Sequence, residues 1–157
     1  MTLIRLNIIL LTVLLSFCNT PHQNSKTKNI EPIIYSKIEM NLSSFGVESE
    51  GFPSIKAIID FKNDSSFCER WYDNPIYKDS SYSLTKAEIT TILNSLLKSD
   101  VKTLQKEYTA NMTDQPTSTI IIFTTKDTIQ FKDYGLLGPY PLDQLYKLVY
   151  KLNINFR

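Results

Sequence analysis

Glycine is scarce in this chain, with four in 157 residues. Phosphate-cradling loops and dinucleotide fingerprints need glycines at fixed short spacings. Gly46, Gly51, Gly135 and Gly138 do not supply those spacings. Histidine is scarcer still. His22 is the only one, and it lies in a polar stretch near the N-terminus. A Ser-His-Asp or Cys-His nucleophile therefore has no base to activate it, and a zinc site has no neighbouring ligands around His22. No metal and no cofactor is expected. Cysteine numbers two, Cys18 and Cys68, which excludes a disulfide framework. An excess of basic charge is also missing, with 17 Lys plus Arg against 16 Asp plus Glu. Without a basic stripe, no nucleic-acid partner is expected.

No long hydrophobic run is present either. The longest, Leu6 to Phe17, carries Asn7 and Thr12 inside it and falls short of the ~20 residues that span a bilayer. Arg5 precedes it. A short positive-then-apolar N-terminus reads as an export leader. It ends in Leu15-Ser16-Phe17-Cys18, which resembles the lipobox of bacterial lipoproteins, with Phe17 where a small residue is usual. That resemblance implies cleavage before Cys18 and a lipid on it. An ordinary secretory leader is the alternative, although no small-x-small cleavage site stands nearby. Residues 1–17 are thus expected as signal peptide, and 18–32 as lipidated cysteine and tether. Asn19 to Asn29 is too polar to offset its own ordering entropy. Loss of the leader removes Arg5 alone among the charges, leaving 16 against 16 and a neutral mature protein. The expected location is a bacterial cell envelope, at the outer membrane or outer surface.

Residues 33–157 read as one globular domain, long enough for a core without staples. Ile34 to Leu42 alternates, with Ile34, Ile38, Met40 and Leu42 on an inner face. Tyr35, Lys37 and Glu39 fall on the outer one. Residues 54–72 read as a hairpin about Asn63-Asp64, and 119–134 as a second about Lys126-Asp127. Ile120 to Phe123 is apolar on both faces, which predicts a central strand. Thr85 and Glu88 form a capping box ahead of a helix over 86–98. Its stripe is Ile89, Ile92, Leu93, Leu96 and Leu97. Pro141 suits the start of a last helix with Leu142, Leu145, Tyr146, Val149 and Leu152 inward. The expected fold is α+β: an antiparallel sheet of about five strands, two hairpins plus one strand, with two helices on one face. The uncovered face, with Tyr35, Lys37, Glu39, Lys56 and Asp60, is the expected binding surface.

Candidate chemistry is thin. Cys68, in Phe67-Cys68-Glu69-Arg70-Trp71, is expected as a buried thiol on a strand. Paired loop carboxylates could act as acid and base, with Asp114 and Asp133 as the leading choices. Local roles compete with that reading: Asp114 can close an Asx turn ahead of Pro116, and Asp133-Tyr134-Gly135 can turn the chain from strand to helix. As candidate binding residues, Asp114, Asp133 and Tyr134 join Tyr35, Lys37 and Glu39.

Five short motifs resemble a family of small bacterial envelope lipoproteins carrying a domain of unknown function. They are Leu84-Thr85-Lys86-x-Glu88, Tyr108, Thr113-Asp114-x-Pro116, Asp133-Tyr134-Gly135 and Gly138-Pro139, between Lys37 and Leu152. The resemblance implies a compartment and a fold but no activity. The expectation is a binding or structural module held to the membrane through Cys18, with an envelope protein or ligand as partner. A hydrolase using loop carboxylates and an inhibitor inserting the loop at 43–53 are the alternatives.

Overall fold

A computed structural model describes residues 34–47 and 50–152. The expected leader, Cys18 and the tether lie outside the described residues. Contacts set Pro32–Arg157 apart as a compact unit. Among the described residues the buried core side chains run from Tyr35 to Tyr150.

One sheet organises the body. Strands β1 (Tyr35–Ser43), β2 (Ser54–Asp60), β3 (Ser65–Trp71), β4 (Ser80–Tyr82), β5 (Glu107–Thr109), β6 (Thr117–Thr124) and β7 (Thr128–Tyr134) lie in the order β4-β3-β2-β1-β6-β7-β5. The two expected hairpins are β2–β3 and β6–β7. β1 joins them, antiparallel to both β2 and β6, and β6 has neighbours on both sides, as its apolar run predicts.

The sheet has seven strands rather than five. β4 and β5 are three residues each, too short and too polar to show an alternation. β5 runs parallel to β7, so the sheet is mixed. Such short edge strands blunt the free backbone groups that would otherwise template aggregation.

Helix α1 (Lys86–Leu97) and helix α2, an α turn at Leu142–Leu145 widening to a π turn at Tyr146–Tyr150, cover one face. The capping box forms as the sequence predicts. Thr85 Oγ1 accepts from Glu88 N at 3.2 Å, and Glu88 Oε2 accepts from Thr85 N at 2.7 Å. Glu88 also holds Lys151 at 2.8 Å, joining the start of α1 to the end of α2. The last carbonyls of α2 find side-chain donors. Arg70 Nη2 donates to Tyr150 O at 2.7 Å, and the Tyr82 hydroxyl donates to Val149 O at 2.6 Å.

Three positions depart from the sequence pattern. The β1–β6 register shifts between Tyr35 and Lys37, and an irregularity of that kind inverts the alternation before it. Tyr35 is therefore buried, its hydroxyl donating to Leu96 O at 3.3 Å, and it does not belong to the open face with Lys37 and Glu39. Ile34 is exposed for the same reason. Leu97 is exposed because it is the final residue of α1 and falls beyond the packed stripe.

Candidate functional site

Asp133 is the most committed polar residue in the body. It sits near the end of β7 on the covered face, fully buried. Its carboxylate accepts from Leu137 N at 2.9 Å, Gly138 N at 2.6 Å and the Tyr146 hydroxyl at 2.6 Å. A buried carboxylate needs such donors to offset its lost hydration. Gly138 brings its backbone this close because it lacks a Cβ, which would lie 3.0 Å from Asp133 Oδ2 and 2.8 Å from Leu142. Burial first, and then the Asp133 contact, push the Tyr146 phenol far above its ordinary range. Tyr108, opposite Asp133 in the register, is also raised, first by burial. With three donors on one carboxylate and no solvent exposure, Asp133 fixes the 135–141 loop and is not placed to take a substrate proton. The chain's motif residues Tyr108, Asp133, Gly135 and Gly138 converge on this knot.

Three more loops at the same end of the sheet are fixed by hydrogen bonds or ring contacts of their own. Gln115 N donates to the Tyr134 hydroxyl at 3.2 Å and Gly135 N to Pro116 O at 2.9 Å, which holds the 110–116 loop. Asp114 is exposed in that loop at φ 61°, its carboxylate accepting from the Thr113 hydroxyl at 2.8 Å. This is a local turn role. After β1, the Ser44 and Ser54 hydroxyls lie 2.8 Å apart, and the Ser44 hydroxyl donates to Asp73 at 3.4 Å. In the 72–79 loop Tyr72 and Tyr77 stack at 5.2 Å, and Asn74 Nδ2 donates to Glu50 at 2.7 Å.

What these fixed loops display is apolar. Phe45 is 89% exposed, Ile76 81% and Met112 65%, and Leu137, Tyr140, Tyr77 and Trp71 are exposed as well. All belong to the end of the sheet where β1, β3 and β7 finish. Isolated exposed apolar residues are ordinary, whereas a group on one surface marks a contact site. The charges there are mostly acidic: among the described residues the loops carry Glu50, Asp73, Asp79 and Asp114 against Lys78. These apolar tips were legible in the sequence as large hydrophobic residues inside Gly- and Pro-rich turns. The alternation analysis passes over them because it reads strands and helices.

The open sheet face is less distinctive. Lys37 lies 2.7 Å from Glu39 and its ammonium 4.2 Å over the Phe123 ring. Lys56 stands opposite Glu69, and Lys37 opposite Asp60. Its charges are answered by neighbours, and between them runs an apolar row of Phe67, Ile58 and Ile121, with Glu39 in line. A shallow depression there is lined by Glu39, Asn41, Lys56, Thr119 and Ile121. Of the sequence-derived candidates, Lys37 and Glu39 lie on this face. Tyr134 shares it at the loop end, while Tyr35 and Asp133 lie in the core. Cys68 is a free, buried thiol on β3, pushed up to about 11 chiefly by burial. Among the described residues no group of His, Cys, Asp and Glu is arranged to hold a metal. No helix there is long and apolar enough to cross a membrane.

These features define a one-sided α+β sheet protein whose ordered loop end is apolar and acidic. A family model described as a domain of unknown function (DUF6438) matches residues 53–153, and the chain belongs to that family. The matched segment holds both helices and six of the seven strands. It omits β1, the strand that joins the two hairpins. Comparison with curated proteins and with solved structures gives no match.

Proposed function

We propose that this protein is a lipid-anchored envelope module that binds a partner through the loop end of its sheet. The observation that carries the reading is polarity. The exposed apolar tips gather where β1 ends, whereas the chain running back toward Cys18 leaves from Ile34, where β1 begins. A nine-residue strand at ~3.3 Å per residue separates the two ends by about 25 Å. A tether on one end and an ordered apolar surface on the other suit a body held at a membrane and presented outward. The leader and Leu15-Ser16-Phe17-Cys18 support the anchor. The acidic loops favour a partner surface that is apolar with a basic rim.

Two measurements test this. Intact mass of the membrane-extracted protein is expected to begin at Cys18 with acyl chains added; retention of Met1 contradicts the anchor. A photo-crosslinking side chain at Ile76 or Met112 is expected to give a discrete adduct in the producing cell's membrane fraction, and one at Lys56 on the open face none. Equal labelling from both faces contradicts the loop-end site.

A further inference from the structure

At the opposite end of the sheet lies a second apolar surface. A groove between the start of β1 and the last turn of α1 is lined by Ile34, Tyr35, Phe61, Leu93 and Leu97. Ile34 and Leu97 are each 58% exposed. The one charged side chain in its lining is Lys62, and Lys98 follows Leu97 directly at the C-cap of α1. Both lysines are exposed. Of the acidic residues near it, Asp64 pairs with Lys86 at 2.8 Å, Asp60 accepts from Lys62 N and from Asn63, and Asp100, two residues beyond Lys98, accepts from Lys102 N at 3.2 Å. Asp127 pairs with Lys102.

We infer that this groove is a seat for an anionic lipid surface. Three observations combine. Its exposed apolar side chains, Ile34 and Leu97, are aliphatic, of the kind that enters the acyl boundary of a bilayer. Lys62 and Lys98 frame it, and long basic side chains keep their charge at headgroup level while their stems cover apolar surface. The segment leading back to Cys18 enters at Ile34, a lining residue. The loop end is unsuited to the same role, since its acidic charges are repelled by anionic lipid.

The inference goes beyond the lipid anchor and does not require it, so each can fail alone. The test uses residues 19–157, which lack the leader and Cys18 and therefore any acyl chain, and retain the core from Tyr35 to Tyr150. Flotation with vesicles of phosphatidylcholine is compared with flotation on vesicles that also contain phosphatidylglycerol. Binding to the anionic vesicles is expected to be at least about fivefold tighter and to fall with added salt. Joint substitution Lys62→Glu and Lys98→Glu is expected to remove that preference. Joint substitution Ile34→Glu and Leu97→Glu, both at exposed positions, is expected to abolish flotation with the thermal transition retained, and Leu137→Glu at the loop end to leave it unchanged. Flotation that is absent, indifferent to the groove substitutions or lost with Leu137→Glu overturns the inference. A body that dimerises in buffer through Ile34 and Leu97 assigns the groove to a second copy and overturns it as well.

Discussion

The Tyr146 hydroxyl donates to Asp133 Oδ2 at 2.6 Å inside a fully buried site. This bond ties α2 to β7 beneath the loop that displays Leu137 and Tyr140. Tyr146→Phe removes one of the two donors on Asp133 Oδ2 and leaves each oxygen with a single backbone donor, Leu137 N on Oδ1 and Gly138 N on Oδ2. A buried hydrogen bond to a charged acceptor is worth about 1.5–3 kcal/mol. Chemical denaturation is expected to show a loss of that size, and amide exchange faster protection loss at Leu137 and Gly138 than in β2 or β6.

Gly135 links β7 to the same loop at φ +100°, and a Cβ there would lie 2.6 Å from the Ala110 methyl. Gly135→Ala therefore meets both backbone strain and a fixed neighbour. It is expected to cost more than about 1 kcal/mol, measured by urea unfolding. An unchanged midpoint would show that the turn relaxes freely.

Glu88 closes the capping box and holds Lys151. The Lys151 contact, ahead of the Thr85 bonds, holds its carboxyl below the ordinary value of 4.5. A carboxyl lowered in the folded state contributes stability above its unfolded pKa and loses it as pH falls through the folded one. Glu88→Gln is therefore expected to destabilise at neutral pH, with the difference from the parent closing as pH drops below 4.5. Thermal melts from pH 7 to 3 on both proteins check the sign.

Cys68 has no solvent exposure and a thiol pushed up to about 11, chiefly by burial. The thiolate is the reactive form. Alkylation at pH 8 is therefore expected only at the rate of global unfolding, and to become rapid in denaturant. Rapid native-state alkylation would contradict the packing of β3 under α1.

Much of this body was legible in the sequence because it is periodic. The β2–β3 and β6–β7 hairpins and the Thr85–Glu88 cap each follow from spacing alone. What escaped was non-periodic or non-local. β4 and β5 are too short to alternate, and β5 gains strand character only by lying beside β7. The register shift at Ser36 turns Tyr35 inward without a glycine or proline to announce it. Asp133 read equally well as a turn former or a site residue. Its role became clear only with Tyr146 and Gly138 on either side of it.

The polarity of the body is read most directly from Trp71, the only tryptophan in the chain, which lies at the loop end of β3. In vesicles of brominated lipid carrying the acylated protein, Trp71 fluorescence is expected to escape quenching. A tryptophan placed by Leu97→Trp, with Trp71→Phe, is expected to be quenched. Strong quenching of Trp71 itself would put the apolar loops in the bilayer and contradict the outward-facing arrangement.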